Sequence, residues 1–180
     1  QVMMGYLLLH RHPRHIAMIG LGGGSLAKFC HHHFPATRFT AVEINPHVIA
    51  MRREFLIPDD NDRFRVIEAD GADYVANVAG QIDVLLLDGF DHQGQPAQLC
   101  SLQFYEACKQ ALAPGGVLVV NLHDTHALYA VFLARLDTVF AGNIAEVATN
   151  EDGNVIVFAS HTVRITPAVL RAEVQKYCAD

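Results

Sequence analysis

Short apolar runs alternate with helix-like segments along most of the chain, and this alternation restricts the fold more than any other feature. The runs are His15–Gly20, Arg38–Glu43, Phe64–Glu68, Ile82–Leu87 and Val117–Leu122. Nearly continuous apolar strands are typical of a parallel sheet, because helices cover both of its faces. The sequence therefore predicts an α/β protein built on a parallel sheet.

Helix start and stop signals fall between these runs. Asn45 is a good N-cap in front of Pro46, and Pro35 ends the preceding helix-like segment. Helices are predicted over Ser25–Phe34, Pro46–Phe55, Gly71–Val78, Leu102–Leu112 and Thr125–Phe140, with a closing helix over Thr166–Tyr177.

The pattern changes after the fifth run. Two β-rich segments, Asn143–Thr149 and Val155–Ser160, flank the turn Glu151–Asn154. Asp152-Gly153 in that turn is a hairpin signal. We therefore expect a seven-stranded, mostly parallel sheet with a C-terminal antiparallel hairpin and helices on both faces. This is the layout of the Rossmann-like class I methyltransferase fold, and we expect residues 1–180 to form a single domain of this type.

Composition narrows the set of partners. The chain has 13 Lys+Arg against 19 Asp+Glu and a net charge of −6, which argues against a nucleic-acid-binding face. The apolar run Val2–Leu9 is shorter than the roughly 20 residues that span a bilayer, and it lacks the features of a signal peptide, so no membrane partner is expected.

Cysteines and histidines do not indicate a metal site. The four cysteines form no C-x-x-C pair, which favours reduced thiols in a cytoplasmic protein. His31, His32 and His33 fall in one predicted helix, where adjacent side chains point in different directions. We therefore expect no bound metal.

A glycine-rich turn follows the first predicted strand, with the sequence Gly20-Leu21-Gly22-Gly23-Gly24. Such a turn between a strand and a helix lets the backbone approach a nucleotide closely. Gly20, Gly22 and Gly24 are the residues that we expect against the ligand.

Two acidic residues end the second and third strands. Glu43 lies about 20 residues beyond the glycine turn, where a carboxylate accepts hydrogen bonds from both ribose hydroxyls. Asp70 is placed to accept from an adenine amino group, with the N–H of Gly71 nearby, and it is also a good helix N-cap. Together with the glycine turn they predict a nucleoside site.

A second acidic loop follows the strand Ile82–Leu87. Asp88 and Asp91 lie three residues apart, beyond the carboxyl end of a predicted parallel strand, where ligands of such sheets bind. A pair of carboxylates can bind a cationic amine and take its proton.

The sequence L-L-L-D-G-F-D-H-Q-G-Q-P-A-Q-L-C-S-L-Q-F-Y, which begins at Leu85, resembles the strand-four signature of spermidine synthases and other polyamine aminopropyltransferases. The glycine turn, V-E-I-N-P-H-V-I and E-A-D-G-A also resemble that family, so the resemblance covers about Pro13–Leu122. The strand-four motif is fairly specific, whereas many methyltransferases share the other blocks.

The resemblance implies a transferase whose donor is decarboxylated S-adenosylmethionine and whose acceptor is a small amine. It implies that Asp88 is the general base and that Asp91 holds the amine. Pro96 and Ala97 would flank the adenine ring, while Glu43, Asp70 and Gly71 would bind the nucleoside. A homodimer is compatible with this interpretation.

The chain departs from the family pattern at two positions. Gly23 stands where the family loop has an aspartate that grips the aminopropyl end of the donor, and His92 replaces a proline. The 180 residues also leave no room for the family's N-terminal β-rich domain, which we expect to be absent. Three functions therefore stay open: aminopropyl transfer, methyl transfer from intact S-adenosylmethionine to an unknown acceptor, and nucleoside binding without catalysis.

Overall fold

The computed structural model of the protein describes residues 2–90, 94–149, 153–166 and 168–169. In this part of the chain seven strands form one sheet. The strands are β1 His15–Ile19, β2 Arg38–Glu43, β3 Phe64–Glu68, β4 Ile82–Leu87, β5 Leu112–His123, β6 Ile144–Ala148 and β7 Asn154–Ala159. Their order across the sheet is β3-β2-β1-β4-β5-β7-β6.

Strand direction follows the prediction. β1 to β5 are parallel, whereas β7 runs antiparallel to both β5 and β6. The predicted seven-stranded sheet with an antiparallel hairpin at one edge is thus confirmed. The strand order reverses between β1 and β4, and in open α/β sheets the crevice beyond the carboxyl ends at such a point is the usual ligand site.

Within the described residues five helices connect the strands: α1 Ser25–His33, α2 Pro46–Ala50, α3 Gly71–Ala76, α4 Leu102–Ala111 and α5 Tyr129–Val139. Short 3₁₀ helices cover Val2–Leu8 and Ala97–Cys100. Apolar side chains of α3, α4 and α5 pack on one face of the sheet. Those of α1 and of the first 3₁₀ helix pack on the other face.

Some bounds differ from the predicted ones. The second helix ends at Ala50 and continues as turns to Leu56, whose φ of 54° lies in the left-handed region that a helix does not adopt. β5 begins at Leu112 and includes the Pro-Gly-Gly segment that was expected to precede it. Asp152 and most of the predicted closing helix lie outside the described residues.

Candidate active site

The turn after β1 requires glycine at its first position. Gly20 has a φ of 94°, and a Cβ there would lie 2.5 Å from the carbonyl oxygen of Asp88. The backbone N–H of Asp88 donates to the carbonyl oxygen of Ile19, at 2.9 Å. The glycine turn and the acidic loop are therefore held in direct backbone contact.

The other two predicted glycines have different surroundings. A Cβ on Gly22, whose φ is 50°, would meet nothing within 4 Å, because this residue faces open space. Gly24 is the N-cap residue of α1, and a Cβ on it would lie 2.4 Å from Cγ1 of Ile57. Packing does not require a glycine at position 22, whereas it does require one at position 24.

A cavity of about 680 Å³ opens at the carboxyl ends of the parallel strands. The predicted site residues in its lining are Gly20, Gly22, Glu43, Asp70, Gly71, Asp88 and Pro96. This volume lies in the range of small-molecule sites. The structure thus brings together seven of the ten residues that the sequence singled out. Gly24, the last residue of the glycine turn, is outside this lining, and so is Ala97, an exposed residue that begins the 3₁₀ helix after Pro96.

Glu43 is buried at the end of β2 and connects two loops. Its Oε2 accepts from the backbone N–H of Leu21 at 2.9 Å, and its Oε1 accepts from the backbone N–H of Asn45 at 2.9 Å. Each carboxylate oxygen keeps a further lone pair, so the same group can still accept from ribose hydroxyls. Sequence reasoning placed Glu43 at the site but missed its hold on the glycine turn.

Asp70 caps α3, since its Oδ1 accepts from the backbone N–H of Ala72 at 2.7 Å. The cap fixes the carboxylate at the rim of the cavity. Gly71 packs so closely under β1 that a Cβ would lie 2.3 Å from Cγ2 of Ile19. Both roles that the sequence suggested for Asp70, cap and cavity residue, are compatible with this geometry.

Asp88 directly follows β4 and is partly buried. Burial raises the pKa of its carboxyl above the usual value, and a hydrogen bond from Asn121 opposes that rise. The bond runs from Nδ2 of Asn121 on β5 to Oδ1 of Asp88, at 2.8 Å. Asn121 was not predicted, because no motif in the sequence links it to the acidic loop.

The acidic loop is anchored to β5 beyond Asp88. Nε2 of Gln95 donates to the carbonyl oxygen of Asn121 at 2.7 Å, and Oε1 of Gln95 accepts from Cys100 at 3.4 Å. Asp91 and His92 lie outside the described residues. Their predicted contacts with an amine stay predictions.

Within the described ranges, no three His, Cys, Asp or Glu side chains are grouped so that they could hold a metal ion. None of the helices in the same ranges has the length and apolar character that crossing a membrane requires.

Solved structures with the same fold define the class of protein. Human methyltransferase-like protein 13, solved in complex with SAH, has a TM-score of 0.86 and 29% identity, covering 97% of this chain and 87% of its own. A spermidine synthase in complex with the transition state analogue AdoDATO has a TM-score of 0.74 and 24% identity, covering 95% and 66%. The chain thus has the class I methyltransferase-like fold.

Sequence comparisons identify the family within this class. The spermine/spermidine synthase domain model matches residues 2–157. The polyamine aminopropyltransferase of Chromobacterium violaceum is 42% identical over 181 aligned positions, covering 100% of this chain and 68% of the relative. That of Neisseria meningitidis (serogroup A) is 42% identical over 161 positions, covering 88% and 61%. The chain belongs to the spermine/spermidine synthase family and spans about two thirds of the length of these relatives.

Proposed function

We propose that the protein is an aminopropyltransferase that uses decarboxylated S-adenosylmethionine to alkylate a small amine. The observation that carries this proposal is the place of Asp88. Asp88 lies in the wall of the same cavity as Glu43 and Asp70, so that a base adjoins the candidate nucleoside site. Family membership supports the same reaction, since the curated relatives are polyamine aminopropyltransferases.

The positions of the side chains support the following binding roles. Glu43 accepts from the ribose hydroxyls, and Asp70 with the N–H of Gly71 binds the adenine edge. Pro96 and Ala97 flank the adenine ring. Gly20 and Gly22 keep the turn free of side chains where the donor passes, and a Cβ on Gly22 would project into open space.

The reaction needs a neutral amine close to the donor. The nitrogen lone pair attacks the propyl carbon bonded to sulfur, the carbon–sulfur bond breaks, and methylthioadenosine leaves with that electron pair. Before the attack, Asp88 takes a proton from the protonated amine, which frees the nitrogen lone pair, and Asp91 holds the amine. Because the sulfonium is already a good leaving group, the protein contributes mainly proximity and deprotonation.

Burial supports the role of Asp88 as a base. Burial raises the pKa of the Asp88 carboxyl, and a carboxylate with a raised pKa is a stronger base than one in water. We expect turnover to rise with pH through the pKa of Asp88, because only the ionised carboxylate accepts a proton.

Methyl transfer is a second candidate, favoured by one specific feature of the chain. Because residue 23 is a glycine, the turn lacks the aspartate that binds the aminopropyl end of the donor in the spermidine synthase pattern. Methyltransferase-like protein 13 also matches this chain over 87% of its own length, more than the spermidine synthases do. Intact S-adenosylmethionine would then be the donor, and the identity of the acceptor substrate is left open.

One experiment separates these functions. The purified protein is incubated with decarboxylated S-adenosylmethionine and putrescine, and separately with intact S-adenosylmethionine and candidate acceptors. Release of methylthioadenosine that needs both an amine and Asp88 supports aminopropyl transfer. Release of S-adenosylhomocysteine supports methyl transfer. Calorimetric binding of methylthioadenosine with no product in either reaction would indicate a non-catalytic binding protein.

The proposal also covers the cellular location and the oligomeric state of the protein. Cys30, Cys100 and Cys108 are free and buried thiols, which supports a reducing compartment such as the cytoplasm. A homodimer stays a prediction, and light scattering after gel filtration will test it.

A further inference from the structure

We infer that Asn121 is a positioning residue for Asp88, holding one oxygen of its carboxylate so that the other serves as the base. This inference rests on the proposed function for its chemical meaning. Its structural basis is the 2.8 Å hydrogen bond from Nδ2 of Asn121 to Oδ1 of Asp88.

The geometry assigns the two carboxylate oxygens different tasks. An ionised carboxylate only accepts hydrogen bonds, so the amide must present its N–H group to Oδ1. Oδ2 of Asp88 is then the atom that accepts the proton from the amine. Without the amide, the carboxylate could rotate about its last side-chain torsion, which has a broad energy profile.

The main chain of Asn121 is held independently of its side chain. Asn121 lies on β5, where it pairs with Ile156 of β7, and its carbonyl oxygen accepts from Gln95. Because strand pairing and Gln95 fix the backbone on both sides, the amide is delivered to Asp88 from a rigid element.

The other end of the amide indicates that this side chain does not serve the fold. Among the described residues, Oδ1 of Asn121 is buried and has no hydrogen-bond partner. A buried carbonyl oxygen without a hydrogen-bond partner lowers stability. An asparagine that served folding alone would therefore have partners for both its amide oxygen and its amide nitrogen. Its one assigned side-chain hydrogen bond in the described structure is the bond to Asp88.

Several ionisable groups share these surroundings. Glu43 and Asp70 line the cavity with Asp88. His123 lies two residues after Asn121 on the same face of β5, and its ring contacts Phe90 at a centroid distance of 5.3 Å. The Asn121 bond is the direct contact in this group, and its loss should therefore dominate the change at Asp88.

The test is a titration of the Asp88 carboxyl that needs no turnover. Protein labelled with ¹³C at the aspartate side-chain carboxyls is titrated by NMR, and the Asp88 signal is the one absent from Asp88→Asn. We expect Asn121→Leu, which is close in shape but has no N–H, to raise the pKa of Asp88 by about one unit. Asn121→Asp should raise it further, because two carboxylates would then adjoin.

Gln95→Leu is the matched control, since it removes a hydrogen bond to the backbone of Asn121 and leaves the amide in place. A pKa of Asp88 that is unchanged in both Asn121 variants overturns the inference, as does an equal shift in Gln95→Leu. If Asn121→Leu does not fold, Asn121→Asp gives the same decision.

With active enzyme, the acidic limb of the kcat profile should move with the titration. Absence of aminopropyl transfer would defeat the proposed function and leave this result standing.

Discussion

Glu43 holds the glycine turn, and we propose that the same carboxylate binds the ribose of the nucleoside. We predict that Glu43→Ala weakens binding of methylthioadenosine by about 1.5–3 kcal/mol, the scale of charge-assisted hydrogen bonds. It should also lower the melting temperature, because the backbone N–H groups of Leu21 and Asn45 lose their acceptor. Calorimetry and thermal unfolding measure the two effects.

Glu43→Gln is the matched control, because it keeps one acceptor oxygen and nearly the same shape. We expect it to fall between the wild type and Glu43→Ala in both measurements. Unchanged affinity in Glu43→Ala would contradict the ribose role.

Asp88 carries the prediction about chemistry. Asp88→Asn keeps the shape of the side chain but removes the base, so turnover should fall by about 10²–10⁴-fold while methylthioadenosine affinity changes little. Initial rates with decarboxylated S-adenosylmethionine and putrescine test this, and Asp73→Asn on the exposed side of α3 is the control. Equal loss in both variants would mean that the base lies elsewhere.

Single residues also show where sequence reasoning reaches its limit. Glu43, Asp70 and Asp88 could be placed at one site from sequence, because each follows a strand whose carboxyl end meets the others at one edge. Asn121 and Gln95 could not, because their hydrogen bonds depend on the exact approach of β5 to the acidic loop. Sequence spacing carries no information about that approach.

At the scale of elements, the turn after β1 gives a stability prediction. We expect Gly20→Ala to cost several kcal/mol of unfolding free energy, since the new Cβ would lie 2.5 Å from a carbonyl oxygen on a residue with positive φ. Gly80→Ala is the control: its φ is 67° but nothing lies within 4 Å of its Cβ position. That variant should cost about 1–2 kcal/mol. Urea unfolding compares the two, and equal losses would exclude the close approach as the cause.

The elements differ in how well the sequence predicted them. The strands were found because burial on both faces dictates apolar runs, and their bounds agree closely with the structure except at the start of β5, which begins at Leu112 and not at Val117. The end of α2 was not found, because the turns to Leu56 depend on tertiary contacts. Lys28 on α1, for example, donates to the carbonyl oxygen of Phe55 at 2.6 Å.

For the whole molecule, a buried histidine at the amino-terminal ends of the parallel strands, opposite the cavity, links stability to pH. His15 at the start of β1 is 6% exposed, with Nε2 3.1 Å from Oγ1 of Thr40 and Nδ1 2.9 Å from a guanidinium nitrogen of Arg38. Burial first, and then the charge of Arg38, lower the pKa of His15. The folded state therefore binds the proton less readily than the unfolded state, whose pKa is about 6.5.

It follows that the contribution of His15 to the unfolding free energy is fully present above the pKa of the unfolded state. That contribution is lost as pH falls toward the lower pKa of the folded state. We expect His15→Gln to flatten the decline of unfolding free energy as pH falls below about 6.5. Urea unfolding over this range measures the slope, and His33→Gln on the exposed end of α1 is the control. A slope unchanged by His15→Gln would contradict this assignment.

The two backbone hydrogen bonds to Glu43 have a consequence for the speed of recognition. Because the chain itself holds the glycine turn against β2, an arriving nucleoside does not have to order that segment. Little conformational entropy should be lost there, and association should be limited by diffusion and orientation, without a slow closing step. In stopped-flow mixing we expect a single phase whose rate rises linearly with nucleoside concentration. Glu43→Ala should add a second phase that saturates as the turn becomes ordered.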